Sequence, residues 1–170
     1  PSSVASILFG GRLIALQKKS GGIESIAIGY SLRRLASKCV NKHALSVLKD
    51  TFALSQLGVG VSGGCEAAVH AARRFLTNVP ENFVVVKIAF ANAFSCIRRD
   101  SVLSAAADFV PEIYCFCYSA YHQTSILQYG QQTIESQEGV QQGDPIGPLL
   151  FCLAVHHFFF LVQVSSHLAF

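Results

Sequence analysis

The sequence predicts an α+β fold: an incomplete antiparallel sheet packed by helices. Three observations carry that expectation. Two pairs of short apolar segments flank glycine-bearing turns, Lys19-Ser20-Gly21-Gly22 and Gly130-Gln131-Gln132, and read as hairpins. Between them, apolar residues recur at the three-to-four spacing of helices. Phe83 to Ala89 is a near-continuous apolar run, β-branched in its middle, and reads as a strand covered on at least one face.

Each element follows in order. Leu13 to Lys18 and Ser25 to Ile28 form the first hairpin, with Lys18 and Lys19 near its tip. Ser31 to Lys49 is a helix, with Leu32, Leu35, Ala36, Cys39, Val40, His43 and Val47 as its core stripe. Arg34, Lys38 and Lys42 recur every four residues and align three cations on another face, as a phosphate backbone requires. Solvated charge explains them equally well, and His43 reads as a packed side chain. Leu57 to Gly64 is a glycine-rich loop with Ser62 as helix cap. It lacks the GxxxxGK[ST] pattern of a phosphate loop and reads as structural. The helix after it turns Ala68, Ala72, Phe75 and Leu76 inward and ends near Leu76. Asp100 caps a helix through Leu103 to Ala107, and Pro111 opens another that ends near Tyr121. Ser125 to Tyr129 and Thr133 to Glu135 form the second hairpin. Gln141 to Pro148 is dense in turn formers, and a strongly apolar helix follows from Leu149 to about Val164. That helix is interrupted by His156 and His157 and falls short of the roughly 18 to 20 residues a membrane span needs. It reads as a buried core helix, and no membrane partner is expected.

Composition bounds the class. Half of the 170 residues, 51%, are hydrophobic and 14% are charged, which supplies one sizeable core and excludes a disordered chain. The sequence opens at Pro1 and holds no Met, so it reads as a fragment of a longer product, without a secretory pattern. The six Cys, at 39, 65, 96, 115, 117 and 152, form no CxxC pair, which argues against zinc. They read as reduced thiols of an intracellular protein, nuclear or cytoplasmic, with no disulfide partner. Charge is lopsided: residues 1–49 carry eight Lys or Arg against Glu24, whereas residues 50–170 carry five basic and nine acidic side chains. A basic lobe beside an acidic one points to a phosphate-bearing partner or to an ordinary solvated face.

Three segments, in order, resemble the reverse transcriptases of non-long-terminal-repeat retrotransposons. Residues 28–38, Ile-Gly-Tyr-Ser-Leu-Arg-Arg-Leu-Ala-Ser-Lys, resemble the fingers block that follows a hairpin. Residues 85–94, Val-Val-Lys-Ile-Ala-Phe-Ala-Asn-Ala-Phe, resemble the first palm motif. Residues 137–151, Gln-Glu-Gly-Val-Gln-Gln-Gly-Asp-Pro-Ile-Gly-Pro-Leu-Leu-Phe, resemble the next motif and are the most specific match. The resemblance implies a reverse-transcriptase-like fold with a fingers-like basic lobe at 1–80 and a partial palm-like lobe at 81–170, as one continuous domain fragment. It implies descent from an RNA-directed DNA polymerase, which transfers nucleotides by two-metal phosphoryl chemistry on Mg²⁺ held by carboxylates. Phe94 then corresponds to the aromatic under the incoming sugar, Gln142 and Gly143 to the loop lining the nucleotide, and Lys18 and Lys19 to the hairpin cations. RNA or an RNA–DNA hybrid becomes the expected partner, with Arg34, Lys38 and Lys42 as its contacts.

The departures fall on the chemistry. The metal-binding aspartate position holds Ala89, and the fingers position normally held by an arginine is Glu24, an anion where a triphosphate would sit. The family's aspartate pair would begin at or past Phe170 and is absent from these residues, none of which after Asp144 is acidic. Asp144 itself, before Pro145, is expected to bond backbone N–H groups and not metal. No catalytic residue is intact and no metal or other cofactor is expected in this chain. A non-catalytic nucleic-acid-binding module and a degenerate remnant without function stand as the alternatives to an inactive enzyme.

Overall fold

The computed structural model describes residues 2–19, 21–52, 56–78 and 87–156, and on these the chain is α+β. Its sheet has four strands in the order β2-β1-β3-β4: β1 (Gly11–Gln17), β2 (Ile23–Gly29), β3 (Ser125–Tyr129) and β4 (Gln132–Ser136). Both hairpins form where the glycine turns place them, and both pair antiparallel. The expectation of a purely antiparallel sheet is corrected at one seam. β1 and β3 pair in parallel, Gly11 opposite Leu127 and Arg12 opposite Gln128, so the sheet is mixed. Parallel neighbours need a long connection. Here that connection is most of the chain, and the sheet joins a strand pair from the first 80 residues to one from the rest.

The helices are α1 (Ser2–Leu8), α2 (Ser31–Val47), α3 (Lys49–Phe52), α4 (Gly64–Asn78), α5 (Ala93–Cys96), α6 (Arg99–Phe109), α7 (Tyr114–Tyr121) and α8 (described over 147–156). Pro111 opens a single 3-10 turn that leads into α7, as its missing N–H and fixed φ favour at a helix start. The core gathers Leu48, Phe52, Val102, Val110, Ile113, Cys117, Tyr121, Ile146, Leu149, Leu150 and Leu153, from the end of α2, from α3, α6, α7 and α8 and from the turns beside them. In α7, Cys117 points into this core and Cys115 points out.

Four local expectations are overturned. The buried side of α2 is Arg33, Ser37 and Ala44, whereas Leu32 is 74% and Leu35 60% exposed, with Cys39, His43 and Val47 also outside. At about 100° per residue the helix is rotated by roughly a third of a turn from its apolar stripe. The reason is Arg33, whose polar partners lie inside. In α4 only Gly64 is buried, and Phe75 and Leu76, expected inward, stand half-exposed. That helix begins at Gly64, so Ser62 stands too early to be its cap. Asp100 lies in the first turn of α6 and pairs with exposed Arg98, which occupies the cap position without a side-chain cap bond.

The expected strand Phe83 to Ala89 is described only over its last three residues. Residues 83–86 lie outside the described residues. Lys87, Ile88, Ala89 and Phe90 form no strand, and Ile88 is 61% exposed. Residues 157–164 of the expected long apolar helix also lie outside the described residues. No helix among the described residues is long and apolar enough to cross a membrane.

Candidate functional site

A cleft of about 510 Å³ opens between the first hairpin and the segment around α5. Lys18, Glu24 and Ser25 line it from the hairpin side, Asn92, Phe94, Ser95 and Cys96 from the other, and Gln142 from the loop before α8. Three of the residues singled out in the sequence, Lys18, Phe94 and Gln142, thus meet across separations of up to 124 positions in the 170-residue chain.

The loop that carries Gln142 is fixed to the hairpin by its own backbone. The Ala27 N–H in β2 donates to the Gln142 carbonyl at 2.7 Å. Gly143 follows at φ 111°, in the region only glycine adopts freely, and a Cβ there would stand 2.5 Å from the Ala27 carbonyl oxygen. Gly143 therefore serves close backbone approach and does not line the cleft. The Gln142 side-chain amide donates in turn to the Glu24 carboxylate across the cleft. Glu24 is thereby held in place at the cleft wall.

Phe94 is placed by the segment on its other side. The Val140 N–H donates to the Phe94 carbonyl at 2.8 Å, and the Gly139 N–H to the Ile97 carbonyl at 3.2 Å. Asn92, in the left-handed region at φ 49°, turns the chain into α5; asparagine is among the few non-glycine residues that tolerate this. The Phe94 ring stacks on Phe151 of α8 with centroids 5.2 Å apart and planes at 28°. It is half-buried: one part packs on the core and another faces the cleft.

The remaining sequence-predicted residues lie elsewhere. Lys19 is exposed at the hairpin tip and does not line the cleft. Arg34, Lys38 and Lys42 are all exposed on α2, as their spacing implied. Ala89 is exposed in the unpaired segment before α5.

Sequence reasoning missed the buried network behind the cleft. Arg33, 3% exposed, donates to Asp144 Oδ2 at 2.7 Å, to Gln141 Oε1 at 2.7 Å and to the Phe9 carbonyl. Tyr121 also donates to Asp144 Oδ2, at 2.7 Å, and Gln141 donates to Ser125 Oγ at 2.9 Å. Asp144 Oδ1 accepts the Ile146 N–H at 3.3 Å, the backbone contact expected of a carboxylate before proline. The Arg33 partnership is the part that was not foreseen. Arg99 binds the stretch just ahead, donating to Gly139 O at 3.0 Å, to Ser136 Oγ at 2.9 Å and, at 3.3 Å each, to the Gln123 and Glu138 carbonyls. Both guanidiniums lie over the Tyr121 ring, at 5.6 and 5.5 Å from its centroid. One signal was legible: Asp144 is a lone acid in an apolar, turn-rich stretch, and such a group needs a buried cation.

Burial sets the protonation of these groups. Desolvation, with Asp144 adding to it, raises the Tyr121 hydroxyl well above its ordinary value, so it remains a donor. Desolvation likewise lowers the Arg99 guanidinium from its ordinary value and pushes the Cys117 thiol up to about 12.

Magnesium asks for several oxygen ligands in octahedral geometry. Ala89 offers none. Glu24, the one carboxylate among the described residues lining the cleft, is engaged by Gln142. Among the described residues no three His, Cys, Asp or Glu side chains group as metal ligands. The described residues that line the cleft therefore do not fit a two-metal centre.

No protein-family model matches the chain, and no curated protein matches it.

Proposed function

We propose that the chain derives from the fingers and early palm of a retrotransposon-type reverse transcriptase and does not itself transfer nucleotides. The observation that carries this reading is the cleft. Lys18, Phe94 and Gln142, each assigned to nucleotide contact by motif resemblance alone, line one opening. Of the departures from an active enzyme, Glu24 stands at the wall of this opening, and Ala89 lies outside it, five positions before Phe94 in the chain. Removing a metal's carboxylate forfeits several kcal/mol of transition-state stabilisation, and each ~1.4 kcal/mol is tenfold in rate. An anion facing a triphosphate adds repulsion to that loss.

The Glu24 charge gives the test. A pair of unit charges about 4 Å apart in water is worth about 1 kcal/mol. Glu24→Arg changes the local charge by two and is expected to tighten deoxynucleoside triphosphate binding at least tenfold, as read by titration calorimetry. The added Phe94→Ala change should then weaken it again. An unchanged affinity for triphosphate in Glu24→Arg would remove the nucleotide reading of the cleft.

A further inference from the structure

The rotation of α2 leaves two stripes side by side on its open surface. Leu32, Leu35, Cys39 and Val47 form one, and Arg34, Lys38 and Lys42 form the other. On a wheel of about 100° per residue, Leu35 and Lys42 are neighbours, so the two stripes share an edge. The helix carries no acid of its own.

We propose that this face of α2 docks an acidic amphipathic helix of a protein partner: an apolar row against the leucines, glutamates or aspartates along the cationic edge. Charge complementarity selects that occupant. A phosphate backbone would satisfy the three cations but leave the apolar row in water, and an uncharged apolar segment would do the reverse. Helix-in-groove recognition uses the spacing seen here, with anchors three and four residues apart and flanking charges setting the partner. Among the described residues no helix supplies this occupant. Residues 157–170 contain no acid, α4 has Glu66 alone against Arg73 and Arg74, and α6 has only Asp100 and Asp108, at opposite ends. The inference stands on the surface of α2 and does not depend on the reading of the cleft.

Cys39 lies within the apolar stripe and reports occupancy directly, while exposed Cys65 and Cys115 lie off it as internal controls. The probe is a synthetic helical peptide with leucines at i, i+3 and i+7 and glutamates beside them, added to the full chain. Mass-resolved iodoacetamide labelling is expected to show Cys39 protected and Cys65 and Cys115 unaffected. Leu32→Ser with Leu35→Ser, and separately Lys38→Glu with Lys42→Glu, should each weaken peptide binding at least tenfold. The proposal is overturned if the peptide leaves Cys39 labelling unchanged, or if the leucine pair has no effect. It is also overturned if a single-stranded RNA oligomer or an anionic lipid vesicle protects Cys39 and the peptide does not.

Discussion

At the scale of residues, Arg33 organises the molecule. Its guanidinium and the Asp144 carboxylate are almost fully buried, with side chains 1% and 2% exposed, and are 2.7 Å apart. Burying two charges is costly, so such a pair adds little net stability, but removing one partner strands the other. Arg33→Met is therefore expected to cost about 3–5 kcal/mol, read as a fall in the urea midpoint. That is a large share of the roughly 5–15 kcal/mol that holds a domain of this size. Alkaline titration probes the neighbours. Tyr121, Cys117 and Cys152 are neutral acids whose folded pKa values lie above the unfolded ones, well above 10.0 for the tyrosine and about 12 and about 11 against 9.0 for the thiols. Their stabilisation is complete below the unfolded values and is lost as pH rises through the folded ones. Stability is expected to hold up to about pH 9 and to decline above it, with Tyr121→Phe lessening the later part of that decline. A denaturation midpoint that rises above pH 9 would contradict this.

At the scale of elements, the hairpins were the most legible and the helix faces the least. Gly130 with Gln131, and the glycine pair before Ile23, mark turns by conformation, a local property that the sequence carries by itself. Which side of α2 is buried is decided by partners more than 100 positions away, Gln141 and Asp144, so local periodicity misled. The leucines gave the stronger stripe, yet the core took the arginine. The loop at Gln142–Gly143 was legible through its motif, but its function as a clasp on β2 emerges only from the Ala27 contact. Gly143→Ala forces an unfavourable φ and drives a methyl group into that carbonyl. It is expected to free the hairpin from the loop, seen as faster amide exchange at Ala27, which ought to remain protected in the unsubstituted chain.

At the scale of the whole molecule, the coarse α+β class was readable from turns and periodicity, whereas the parallel β1–β3 seam was not. Non-local pairing leaves no local mark. The candidate site was half legible. Motif order brought Lys18, Phe94 and Gln142 into view, and their convergence on one cleft adds to that reading. The buried support, Arg33 and Arg99, was invisible because arginines are mostly surface residues. The central claim is that the cleft proposed above as a derelict nucleotide site lacks, among the described residues, the carboxylates for two-metal chemistry. Ala89→Asp adds a single carboxylate outside the cleft, and Glu24, the one acid among the described residues lining it, is already bonded, so the change should not restore activity. Primer extension on an RNA template, with Mg²⁺ or Mn²⁺ and all four deoxynucleoside triphosphates, measures the claim most directly. No extended product, from the chain or from Ala89→Asp, is the expected result; template-directed incorporation by the unsubstituted chain would contradict it.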